Sequence, residues 1–162
     1  MMTQFIFSQK GFNAFLELIN ITEMKLDEVS KNKSEAGAGS DGWHDEGFKI
    51  GIGEEMTWVK RLAELQKILS HALIVEPKEQ NEIVKFGNGV IIEYSNGKDF
   101  KFILEGYMVS NFNMNRAVVS IYSPLGQDIL NAKVGETRTL KAGSTVKVKK
   151  IFLPSKAEDV FE

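Results

Sequence analysis

Asp41, Asp45 and Glu46 lie close together in the run Glu35-Ala-Gly-Ala-Gly-Ser-Asp-Gly-Trp-His-Asp-Glu46, with no Lys or Arg among them to neutralise the carboxylates. Carboxylate oxygens are hard ligands for a divalent cation, and a turn broken by glycines can bring several of them together. The run reads as the acidic tip of a helical hairpin, suited to hold a divalent cation or touch a cationic surface. A plain solvated acidic loop is the other reading of the same residues. Trp43 reads either as an anchor against a partner or as packing within the turn. His44 offers a nitrogen donor, which suits softer metals. The other histidine, His71, lies far along the stem and the chain has no cysteine, so a soft-metal site lacks its ligand set.

Two periodic segments flank the turn and must position it. Ser8 is a candidate N-cap, and after it Phe12, Phe15, Ile19, Leu26 and Val29 recur at helical steps of three and four, with Thr22 filling one gap. The glycines at 37 and 39 end this helix. Beyond the turn, Phe48, Ile52, Val59, Leu62, Leu65, Leu69 and Ala72 read as one apolar stripe, with Met56 and Trp58 beside it. Each segment has on the order of 25 residues, which at 1.5 Å per residue predicts a hairpin roughly 40 Å long. Gly51 and Gly53 interrupt the second segment and predict a frayed or bent distal stem.

Pro77 ends the helical region, and Glu76 to Glu82 reads as a polar linker. The period then switches to that of strands. Val90–Tyr94 and Phe100–Leu104 flank Asn96-Gly97, a dipeptide suited to a tight hairpin turn. Further strands are predicted at Ala117–Ile121, around Thr137–Lys141 and at Thr145–Phe152, with a short helix after Ser123-Pro124. Phe86, Ile92, Phe102, Ile121 and Ile151 are the expected core of this half. The predicted fold is α+β: an N-terminal antiparallel α-helical coiled-coil hairpin over residues 1–76, a linker over 77–82, a small antiparallel β-rich domain with one short helix over 83–154, and a tail over 155–162.

The chain has 162 residues, a formal net charge of -2 and a pI near 5.8. A global basic field that would bind nucleic acid by counterion release is therefore absent, and direct DNA binding is not expected. The opening Met1 to Phe7 is apolar but short and has no basic flank, and no later apolar run is long enough to span a bilayer. A cytoplasmic protein with no membrane association is expected.

Val119-Ser-Ile-Tyr-Ser-Pro-Leu-Gly-Gln-Asp-Ile-Leu130, followed by Lys133-Val-Gly-Glu136, resembles a strand, Ser-Pro helix start and Lys-x-Gly-acid turn of the Gre-type (GreA/GreB) bacterial transcript cleavage factors. Ile83-Val-Lys-Phe-Gly87 with Gly89 and Val90 is similar to that family's start of its second domain, and Ser8 to Gly11 with Leu16 to the start of its first helix. The resemblance implies an FKBP-like second domain, without prolyl isomerase activity. It also implies a monomer that binds RNA polymerase in its secondary channel and meets the nascent RNA 3′ end through the polymerase. Such a factor is no enzyme by itself: acidic tip residues stimulate the polymerase's own nuclease by helping to hold a Mg²⁺ shared with the polymerase active site. On this reading Asp41 matches the first tip acid and His44 falls at the second, with Asp45 or Glu46 able to take over if the turn shifts by one residue. Trp43 and His44 become tip contacts, and Ser123, Pro124 and Leu125 the edge that docks on the polymerase. The alternative is a non-catalytic channel binder that modulates or inhibits transcription.

Overall fold

The computed structural model describes residues 3–37, 46–78, 80–107 and 117–153. Contacts divide the chain into two units, one comprising residues 1–4 and 13–72 and the other residues 5–12 and 73–162.

The first unit is built on two long helices, α1 (Gln9–Gly37) and α2 (Glu46–Ser70). Ser8 caps α1, its hydroxyl accepting from the Gly11 amide at 3.0 Å and its carbonyl from the Phe12 amide at 2.8 Å. Along α1 the steps of three and four hold without a break. Phe15, Ile19, Thr22 and Val29 are buried, Leu26 is half-buried, and Lys33 and Ala36 continue the line. Thr22 is 3% exposed, yet its hydroxyl donates to the Leu18 carbonyl at 2.8 Å, so the seam gains a polar residue without an unpaired polar atom.

On α2 the seam departs from the expected stripe in its distal half. Counting back from Leu65 and Leu62, the line runs through Trp58, Glu55, Gly51 and Phe48, which are buried or half-buried, while Val59 and Ile52 are exposed. Hydrophobicity pulled the sequence reading one residue off phase there, because the true seam positions are a carboxylate and a glycine. At Gly51 the two helices come close. A Cβ added to it would lie 3.0 Å from both Cβ and Cγ of Lys33, so the absent side chain lets α1 come near. Gly53, by contrast, has nothing within 4 Å. Pairing of Lys33 with Gly51 and of Ser30 with Glu55 makes the two helices antiparallel.

Strands β1 (Phe5–Phe7) and β2 (Ala72–Ile74) form a two-stranded sheet that the sequence reading did not contain. Three residues apiece are too few for alternation to register. In the second unit, β1 is further held by the Tyr107 amide donating to the Ile6 carbonyl and by edge-on contact of Phe5 with the Tyr107 ring, centroids 5.1 Å apart.

The main sheet comprises β3 (Gly89–Tyr94), β4 (Asp99–Glu105), β5 (Val118–Ser120), β6 (Thr137–Thr139) and β7 (Thr145–Phe152), in the order β5-β4-β3-β7-β6. The β3–β4 turn is as expected. Gly97 takes φ +77°, and the Asn96 side chain accepts from the Lys98 amide at 3.0 Å. All pairings are antiparallel except β4 with β5, which is parallel. The connection from Glu105 to Val118 has the dozen-residue length that a parallel neighbour requires.

Between Ile91 and Ile92 the β3–β7 register slips, so that Ile91 faces Lys150 and Ile92 faces Val148, leaving Lys149 as the extra residue of a bulge. Val90, Ile92, Phe102, Leu104, Val146, Val148 and Ile151 turn to one face and bury with Val84, Ile129 and Ala132, while Ile121 and Leu125 pack against them half-buried. Phe86 is half-buried and lies outside this cluster. Asn88 is fully buried, its side-chain oxygen accepting from Gln80 Nε2 at 2.7 Å and the Lys85 amide at 2.9 Å. Residues 80–88 are thereby tied together by hydrogen bonds, while Val84 anchors them in the core.

Candidate functional site

Asp41, Trp43, His44 and Asp45 lie outside the described residues, in the connection between the end of α1 at Gly37 and the start of α2 at Glu46. Glu46 opens α2, where a carboxylate is favoured by the amide dipoles. Its side chain is 84% exposed and stands 3.8 Å from Lys49, a surface pair worth little. Glu46 thus keeps its oxygens open to solvent or a partner. Among the described residues no three His, Asp or Glu side chains gather closely enough to hold a metal ion.

Below the tip, Glu55 joins the two helices. Its carboxylate accepts from Ser30 Oγ at 3.1 Å and pairs with Lys33 Nζ at 2.7 Å. A polar cross-link at a seam position fixes which residues lie opposite one another, and hence where the two helix ends meet the turn. The Lys33 hydrogen bond, aided by Ser30, holds the Glu55 pKa below its ordinary 4.5 against the opposing effect of partial burial. A carboxylate with a depressed folded pKa stabilises the fold above its unfolded value and loses that contribution as pH falls through the folded one. Acid titration of stability should therefore show Glu55→Gln flatter than wild type below about pH 4.5, with the two differing most near neutrality. Parallel curves would remove Glu55 from the cross-link. Glu55 was missed in the sequence because the apolar stripe drew attention away; the unbroken three-four count back from Leu65 is the signal that finds it.

At the other candidate site, α3 (Pro124–Ile129) begins as the Ser-Pro pair predicts. Ser123 Oγ accepts from the Gly126 amide at 3.1 Å and donates to the Ser120 carbonyl at 2.7 Å, while Pro124 takes the first turn, where a missing N–H costs nothing. Pro124 is exposed; Leu125 is half-buried against the core. Gly126 lets the helix sit on the preceding strand, since a Cβ there would meet the Ser120 carbonyl oxygen at 2.0 Å. Tyr122 stands 37% exposed beside the cap, its hydroxyl accepting from the Ile6 amide at 2.9 Å. The sequence reading passed over it, although a tyrosine directly before a Ser-Pro cap was visible.

The three expected docking residues are thus together on one turn, but only Pro124 offers its side chain freely. No described helix is long and apolar enough to cross a membrane.

Residues 79–152 match the family described as Transcription elongation factor, GreA/GreB, C-term. The chain is 29% identical over 131 residues to the transcription elongation factor GreA of Thermotoga sp. (strain RQ2), covering 80% of this chain and 83% of that protein. It is 36% identical over 92 residues to GreA of Mycolicibacterium vanbaalenii, covering 54% of this chain and 56% of that one. Among solved structures, the GreA factor homolog 1 (Gfh1) protein of Thermus thermophilus aligns over 92% of this chain and 99% of its own, at 23% identity and a TM-score of 0.44. Residues 79–152 thus form a domain of the GreA/GreB C-terminal kind, and over 131 residues the chain is similar to the transcription elongation factor GreA.

Proposed function

We propose that this protein binds RNA polymerase, lays its hairpin into the secondary channel and stimulates cleavage of backtracked nascent RNA. The observation that supports this best is the antiparallel stem, held in register by Ser30, Lys33 and Glu55, whose two ends are joined by the segment bearing Asp41 and Asp45. Such a stem is suited to deliver carboxylates to a distant centre.

The donors available at that end, Asp41, Asp45 and Glu46, are hard oxygens of the kind Mg²⁺ prefers. A bound Mg²⁺ would activate water and stabilise the leaving oxygen of a phosphodiester. The protein's part is to carry the oxygens, fix their approach through the stem and bring its second domain against the polymerase at Pro124. His44 at the second acid position favours one other reading, a channel binder that modulates transcription without cleavage, because neutral imidazole does not replace a carboxylate on Mg²⁺.

Competition binding to RNA polymerase tests the docking part. Pro124→Glu places a charge on an exposed position that packs against nothing in the core, so association should weaken about tenfold while the fold stays intact, as expected for one anchoring contact. Unchanged affinity in the folded variant would take this turn out of the interface. Leu125→Asp is a poorer probe, because it drives a charge against the core.

A further inference from the structure

The whole-chain charge of -2 conceals a segregation. Residues 1–76 carry eight Lys and Arg against twelve Asp and Glu, whereas residues 83–152 carry ten against five. Four of these ten, Lys101, Lys147, Lys149 and Lys150, lie on the sheet face opposite the core, together with Glu93, Asp99 and Glu105. Ile91 of β3 lies in register between Lys101 of β4 and Lys150 of β7, which places these lysines two strand spacings, roughly 9.5 Å, apart. Lys147 lies three residues before Lys150 on the same strand, and the bulge at Lys149 keeps both on the outward side.

Two acids of this face are already engaged, since Lys149 Nζ pairs with Glu93 at 3.0 Å and Asp99 at 3.1 Å, and the third, Glu105, is buried. Lys101, Lys147 and Lys150 are exposed and enter no ion pair among the described residues. We propose that this face binds the phosphodiester backbone of nucleic acid through Lys101, Lys147 and Lys150.

The chemistry of the face selects that partner over an acidic protein. Protein interfaces are built around apolar and aromatic side chains and are poor in lysine. Among the described residues no large exposed apolar side chain falls on β3, β4, β6 or β7. Without an exposed aromatic ring there is no platform on which a base could stack, so contact is with phosphates and independent of sequence. Three lysines displacing counterions give weak, strongly salt-dependent binding, with Kd in the range of about 10⁻⁴ to 10⁻⁶ M. This inference departs from the whole-chain expectation of no direct DNA contact, because net charge averages over two oppositely charged units. It is independent of the polymerase reading.

Fluorescence anisotropy of the full-length chain with a labelled single-stranded RNA and a labelled DNA duplex, in the absence of polymerase, tests it. Wild type should bind with log K falling against log salt at a slope of about -2 for the single strand and about -3 for the duplex. The variant Lys101→Gln/Lys147→Gln/Lys150→Gln, confirmed folded by circular dichroism, should lose at least tenfold in affinity at low salt, and its slope should collapse toward zero. Glu93→Gln/Asp99→Asn releases Lys149 and should tighten binding two- to threefold. Absence of wild-type binding to both probes at low salt overturns the proposal. So does a triple variant that binds as wild type, or poly-glutamate binding more tightly than either nucleic acid.

Discussion

Asp41→Asn should lower Mg²⁺-dependent cleavage of backtracked RNA by on the order of tenfold or more while leaving polymerase association unchanged. The substitution keeps size and removes the charged oxygen that Mg²⁺ requires, and losing a direct ligand costs at least as much as losing one of its supports. Asp45→Asn should behave likewise if the turn has shifted to compensate for His44. The opposite change is more telling. His44→Glu adds a carboxylate where the family resemblance puts the second acid, so cleavage should rise, and rise most at limiting Mg²⁺, where ion occupancy is lowest. A gain that is equal at all Mg²⁺ concentrations would place residue 44 in contact with polymerase or RNA instead of the metal.

Gly126→Ala should destabilise the β domain strongly, at about 3 kcal/mol. The new Cβ would stand 2.0 Å from the Ser120 carbonyl oxygen, 2.8 Å from its carbon and 3.0 Å from Ile121 Cα. All three are backbone, so no flexible side chain can give way. The turn bearing Ser123 and Pro124 would be pushed off its strand, and polymerase association should fall with it. Gly53→Ala is the counterpart: nothing lies within 4 Å, so the helix should gain up to about 1 kcal/mol. Urea unfolding of both variants decides the matter. A Gly126→Ala protein as stable as wild type would show that α3 can move away from β5 freely.

The elements most legible in the sequence were those set by local chemistry. Ser8 capped α1, Asn96-Gly97 turned the β3–β4 hairpin, and Ser123-Pro124 started α3, because each acts within four residues of itself. The α1 seam was equally plain, since apolar residues occupy most of its positions and Thr22 hides its hydroxyl in the helix. What escaped the sequence depends on partners distant along the chain. The α2 seam carries Gly51 and Glu55, whose places make sense only against Lys33 and Ser30. The β1–β2 pair joins residues at opposite ends of the hairpin, and the Lys149 bulge appears only once β7 is laid against β3. At the turn proposed for docking, the Ser-Pro helix start is built as expected, but Pro124 and Tyr122 are exposed and Leu125 is half-buried. The metal-directed expectations at Asp41 and Asp45 rest on the residue types and on the stem that flanks them.

The most direct measurement is a transcript cleavage assay on stalled, backtracked RNA polymerase with and without this protein across a Mg²⁺ titration, with polymerase binding followed in parallel. The account predicts shortening of the RNA from its 3′ end that depends on the added protein and increases with Mg²⁺. Tight polymerase binding with no added cleavage at any Mg²⁺ concentration would contradict it and establish the channel modulator in its place.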